Sequence, residues 1–140
     1  MTPIYQTKQG IDGDCFRCCI ASLLDLPALD VPHFYNKQSS GGAVTGEALS
    51  AMRMWLDKHK LSYAETTFTI PLAILMDGMR RFNPDVWYIL TGRNDDGFVH
   101  SVVARGSNIE HNPASTVTTG AITKPCRDRT YRVGFIVLGG

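Results

Sequence analysis

The hydrophobic pattern of this 140-residue chain changes character once, between Asn83 and Val86, and that change restricts the fold more than any other feature. Before it, apolar residues recur at helical spacing. After it come short runs rich in β-branched and aromatic residues, VWYILT, FVHSVVAR, SNIEH and YRVGFIVL, separated by Gly, Asn, Asp or Pro. Helices first and strands second predict an α+β fold, with N-terminal helices packed on a C-terminal antiparallel sheet. Neither half is large enough to enclose its own core, so residues 1–140 read as one domain.

Three helices are expected in the first part. In CFRCCIASLLDL, Phe16, Cys19, Ile20, Leu23 and Leu24 share a face, Asp14 stands at the N-cap position and Pro27 ends the run. A loop, QSSGGAV, spans 38–44. Thr45 then caps a second helix whose buried stripe is Ala48, Leu49, Met52, Trp55 and Leu56. A third runs from about Pro71 to Phe82, with proline in its first turn, where a missing N–H costs nothing. Asn83-Pro84-Asp85 stops it. The first nine or so residues read as extended, and Trp55, Trp87 and Tyr88 read as core.

Composition narrows the class. With 44% hydrophobic and 19% charged residues and a net charge of +1, the chain reads as an ordinary globular protein with no electrostatic reason to seek nucleic acid or anionic lipid. No segment approaches the roughly eighteen apolar residues of a membrane span, and the N-terminus lacks the apolar run of a secretion signal. Three of the four cysteines, Cys15, Cys18 and Cys19, crowd onto one helix, where disulfide geometry is hard to satisfy. A reducing, cytoplasmic setting is the expectation.

The chemistry-bearing candidate is Cys15. It follows the Gly-rich turn GIDGD and opens a helix, so unpaired N–H groups and the positive end of the helix dipole adjoin its sulfur. Such a position is expected to lower a thiol pKa and to offer donors for an oxyanion. His100 lies in an otherwise apolar strand. Gly106-Ser107 reads as a tight hairpin turn that brings Asn112 beside or diagonal to His100, in either a two- or a three-residue loop. A side-chain partner on one ring nitrogen fixes the tautomer and aims the other at the thiol.

At these residues the chain resembles the papain-like cysteine peptidases. DGDCFRCCIASLL followed by VHSVVARGSNIEHNP is similar to their Cys…His…Asn/Asp order, particularly in short bacterial and phage members such as the bacteriocin-processing peptidases. The nucleophile segment also resembles that of ovarian-tumour-type deubiquitinases, and CFRCCIASLL followed by VPHF is similar to small phage proteins. The resemblance implies a papain-like fold, Cys15 as nucleophile, His100 as base and then acid, and Asn112 as its orienter. For the oxyanion donor it implies Gln9, six residues before Cys15, with Gln6 or the backbone around Asp12 to Asp14 as alternatives. It further implies a peptide, protein or small amide substrate and no cofactor, in a host cytoplasm if the chain is phage-encoded.

Other readings carry less. Cys18 and Cys19 fit as packing residues. A zinc site built from the four cysteines and a histidine lacks a second paired knuckle. His111 neighbours Asn112 and therefore points to the opposite face of a strand, which leaves His100 the better base. Gly41-Gly42 reads as a lid rather than a phosphate cradle, and the terminal Gly139-Gly140 as a frayed end. Two alternatives to hydrolysis stand: acyl transfer on the same residues, and a catalytically idle binding protein on the same scaffold.

Overall fold

The computed structural model describes residues 1–7, 13–34, 46–114 and 121–139. The expected 38–44 loop, the Thr45 cap, the Gly41-Gly42 lid, Gln9, Asp12 and Gly140 lie outside these residues. Helix α1 is Cys15–Leu24, α2 is Gly46–Lys58 and α3 is Leu72–Phe82. The strands are β1 Leu61–Phe68, β2 Trp87–Arg93, β3 Val99–Arg105, β4 Asn108–His111 and β5 Tyr131–Leu138. They form one antiparallel sheet in the order β1-β5-β2-β3-β4. The α+β class holds, but the simple division into helices and then strands does not. β1 lies between α2 and α3 and pairs along its whole length with β5.

Strand periodicity divides the core into two layers. On one face, Ile89 of β2 and Val103 of β3 meet Phe16, Cys19 and Ile20 of α1 and Met52 and Leu56 of α2. On the other, Tyr88, Leu90, Val102 and Ala104 meet Leu75 and Met79 of α3. Residues of one parity therefore face α1 and α2, and those of the other face α3. Burial of each large aliphatic side chain in these layers contributes about 1.5–3 kcal/mol. Ala48, Met52 and Leu56 are buried and Leu49 and Trp55 partly so, which is the expected α2 stripe. Tyr88 is core, whereas Trp87 sits at the surface with the Arg105 guanidinium 5.4 Å above its ring.

Several boundaries have causes different from those expected. Asp14 occupies the N-cap position of α1 but makes no capping bond. Its carboxylate instead accepts from the Thr7 N–H at 3.1 Å and the Thr7 hydroxyl at 3.0 Å. α1 ends because Asp25 turns left-handed at φ 56°, two residues before Pro27. Pro71 stands at the N-cap of α3, one position earlier than expected.

The hairpin joining β3 and β4 closes with the two-residue register, Arg105 opposite Asn108. Gly106 holds φ +57°, and a Cβ there would lie 2.5 Å from the Pro84 carbonyl oxygen, so glycine is required on two counts. The register then shifts. Ala104 faces Ile109, but Val103 faces His111, leaving Glu110 as an extra, bulged residue.

Candidate active site

The bulge at Glu110 decides which side chains meet. In an unbroken two-residue register, Asn112 would stand opposite Ser101 and share its face. With one residue inserted, the register past Val103–His111 brings Asn112 level with Val102, on the face that also carries His100. The outcome is a direct bond: His100 Nε2 lies 2.8 Å from Asn112 Oδ1. A carboxamide oxygen only accepts, so Nε2 carries the ring proton and Nδ1 the lone pair. Asn112 Oδ1 also accepts from the Ala114 N–H at 3.0 Å, which holds the amide in that orientation.

His100 is only 5% exposed. It stands opposite Gly92, and a Cβ on Gly92 would lie 2.6 Å from Ile122 Cγ2 and 2.8 Å from the Lys124 carbonyl oxygen. The chain around Ile122 therefore passes close over the face that His100 enters. Burial lowers the imidazole pKa below the usual 6.5, and the Asn112 bond opposes the shift in part. The resting imidazole at neutral pH is uncharged.

Cys15 approaches β3 from the other side. Its sulfur takes hydrogen bonds from both the N–H and the hydroxyl of Ser101, the residue directly after His100, and from the N–H of Phe16 in the first turn of α1. The pairing of β4 with β3 stops at Val103, so β3 has an open edge at Ser101. Ser101 and its register partner Thr91 lie on the α1 face, in line with Val103 and Ile89. Sulfur and imidazole thus belong to opposite faces of the sheet at Cα level, and the link between them runs through the adjacent residues His100 and Ser101 of β3.

The electrostatics of Cys15 differ from the expectation. Position at the helix start does supply the Phe16 N–H, but burial dominates and pushes the thiol from 9.0 up to about 11. The neighbouring Asp14 carboxylate adds to the rise, while the Ser101 and Phe16 donors act against it. Helix position predicted the donors correctly and missed the desolvation. Cys18, pushed up to about 12, Cys19 and Cys126 are raised mainly by burial as well. All four are free thiols inside the protein, and Cys19 belongs to the apolar core.

The N-terminal segment ties the two halves of the site together. Ile4 N–H donates to Ser22 Oγ of α1 at 3.1 Å, and the Ile4 carbonyl accepts from His111 Nε2 at 2.7 Å. The Gln6 N–H donates to the Pro113 carbonyl at 2.8 Å, one residue past Asn112. Gln6 is therefore fixed near the carboxamide end of the site, with its side chain partly buried. Arg17, directly below the helix start, donates Nε to the carbonyls of Ala28 at 2.8 Å and Val31 at 2.6 Å, fixing the turn that follows α1.

Two residues stand at the site that sequence reasoning did not single out, Ser101 and Thr91. The signal was present: a serine inside an apolar strand beside the candidate histidine. Among the described residues, no group of three or more Cys, His, Asp or Glu is placed to hold a metal ion, and no helix is long and apolar enough to cross a membrane. An open apolar groove of about 300 Å³ lies at the far end of α1, lined by Leu23, Leu24, Leu61 and Trp87, and contains none of the site residues. No family model, curated protein or solved structure matches this chain, and the chemistry of the site rests on its own geometry.

Proposed function

We propose that the protein is a papain-like cysteine hydrolase acting on a peptide, isopeptide or other amide bond, with Cys15 as nucleophile, His100 as base and Asn112 as its orienter. The observation that carries this reading is the 2.8 Å bond from His100 Nε2 to Asn112 Oδ1, made one residue away from the serine that holds the Cys15 sulfur. Any buried imidazole needs a partner, but here the partner is a side-chain amide that is itself held by the Ala114 N–H. The bond leaves Nδ1 with the lone pair that a base requires.

The resting pair is a neutral thiol and a neutral imidazole rather than a preformed ion pair. His100 Nδ1 takes the Cys15 proton as the sulfur attacks the substrate carbonyl carbon, and the charge that develops on the carbonyl oxygen falls to donors at the helix start. Gln6, whose backbone is fixed beside Pro113, is the side-chain candidate to assist. The imidazolium returns its proton to the leaving amine. Water, deprotonated by the same ring, then releases the acyl group from sulfur. An amine in place of water gives acyl transfer. The free thiols fit a reducing cytoplasm.

One observation favours a second reading, an idle binding protein on this scaffold: Cys15 is 8% exposed and its thiol is raised to about 11. Fluorescent iodoacetamide at pH 7 separates the two. Catalytic wiring labels Cys15 ahead of Cys18, Cys19 and Cys126, with the label suppressed in His100→Ala. Equal labelling of wild type and His100→Ala favours the binder and ends the hydrolase reading.

A further inference from the structure

Ser101 of β3 is a polar residue only 2% exposed, and it is in register with Thr91, which is 6% exposed. Their hydroxyl oxygens are 2.7 Å apart. Two buried hydroxyls across a strand pair satisfy one another, but only one proton lies between them, and the second must go elsewhere. For Ser101 that second partner is the Cys15 sulfur, which also receives the Ser101 N–H. If Ser101 donates to sulfur, it accepts from Thr91. The direction of the chain is then fixed: Thr91 O–H to Ser101 Oγ, and Ser101 O–H to Cys15 Sγ.

We propose that Thr91 and Ser101 are positioning residues for the nucleophile, a two-hydroxyl chain that holds the Cys15 sulfur at the β3 edge and stabilises it as a thiolate when its proton leaves. The role in acyl transfer rests on the hydrolase reading of Cys15. The Thr91–Ser101 bond stands apart from that reading. An O–H donor to sulfur is worth little while the thiol is neutral and much more once it is charged, because charge-assisted hydrogen bonds are roughly twice as strong as neutral ones. The chain therefore favours the state that forms during reaction, in a position where burial works against it. The Ser101 N–H supplies a second donor that no side-chain substitution removes. Thr91 is a convenient anchor, since its β-branched side chain is restricted at χ1 and points its hydroxyl at one place. The charged and titratable groups coupled to the sulfur are Asp14, which opposes its ionisation, and Cys18 and Cys19 on its own helix, while His100 precedes Ser101 on β3. Arg132 of β5 stands in register beside Thr91.

The test is the pH dependence of Cys15 alkylation by iodoacetamide in the full chain, with thermal melting as the control for folding. Ser101→Ala is expected to move the alkaline limb of the profile upward and to lower the rate on that limb about tenfold, the size of one charge-assisted bond. Thr91→Val lowers it about threefold, because Ser101 loses its donor but keeps its place, and Thr91→Ser restores the wild-type profile. The acid limb, set by His100, stays where it was. A folded Ser101→Ala whose profile superimposes on wild type overturns the proposal. Should Ser101→Ala fail to fold, Thr91→Val and Thr91→Ser carry the same decision: equal profiles for the two variants sink it. The hydrolase reading fails separately, through an unchanged His100→Ala.

Discussion

The two faces of the β3–β4 hairpin carry one buried histidine each, and the pair shows how little residue type and burial say about role. His100 and His111 are each 5% exposed. Each places Nε2 against an oxygen. For His111 that oxygen is the Ile4 carbonyl at 2.7 Å, and the ring meets Tyr5 edge-on with centroids 5.0 Å apart. A main-chain carbonyl has no further chemistry, so His111 acts as a clamp that holds the N-terminal segment to the sheet. His100 faces a carboxamide that is itself held by a backbone N–H, next to the residue that binds the Cys15 sulfur. The difference lies in what each ring's partner is bonded to, and the Glu110 bulge creates it by placing the adjacent residues His111 and Asn112 on their respective faces.

The sharpest way to break this contrast is to remove each ring in turn. His100→Ala is expected to lower Cys15 alkylation at pH 7 by about two orders of magnitude, the lower end of what a positioned base supplies, with a modest change in melting temperature. His111→Ala should do the reverse. Loss of the clamp costs about 1–2 kcal/mol, from one buried hydrogen bond and its packing, while Cys15 keeps most of its reactivity. Paired alkylation and denaturant titrations read both quantities. Similar profiles for the two variants would remove the distinction between clamp and base.

Asn112 tests the same contrast from the partner's side, with a smaller effect. Its bond raises the His100 pKa against the lowering by burial. Asn112→Ala removes that support, so the acid limb of the alkylation profile moves to lower pH and the rate on the plateau falls about tenfold as the ring loses its orientation. Asn112→Asp moves the limb the other way, since a carboxylate favours imidazolium. Opposite shifts are the signature of a ring that titrates in contact with residue 112. Shifts of the same sign, or none, would place the titrating group elsewhere.

Much of the fold was legible because its pattern is local. Phe16, Cys19 and Ile20 at helical spacing, and Val102 against Val103 on alternating faces, announce elements that bury one stripe or face each. β1 was missed because it has little such pattern. It is an edge strand with Ser62, Ala64, Glu65, Thr66 and Thr67 exposed, and it exists through its pairing with β5. Cys15, His100 and Asn112 were legible as types in a compatible order. Two features of the site were not. Nothing in SNIEH marks Glu110 as the residue to bulge, since the choice depends on what lies on either side of the hairpin. The raised thiol of Cys15 comes from desolvation by distant segments, whereas the helix-start argument sees only neighbours in sequence. Ser101 was visible but lacked a reason until Thr91 and Cys15 were placed around it.

The smallest effect concerns stability, and its sign follows from the burial of His100. The folded pKa lies below the ordinary 6.5, so an unfolded chain takes up a proton at this position before the folded one does. The contribution of neutral His100 to stability is therefore complete above about pH 6.5, and it declines as pH falls toward the folded pKa, below which both states are protonated. One proton sets a ceiling of about 1.4 kcal/mol per pH unit on the slope. His100→Gln, similar in size and without charge at any pH, should flatten the stability curve in the window immediately below pH 6.5 by up to that amount. It should leave the alkaline side unchanged, where the buried thiols of Cys18 and Cys19 remain. Urea midpoints across that window decide the matter. An undiminished acid slope in His100→Gln would mean that the imidazole is not held neutral by the fold, and the general-base description of the resting site would fall with it.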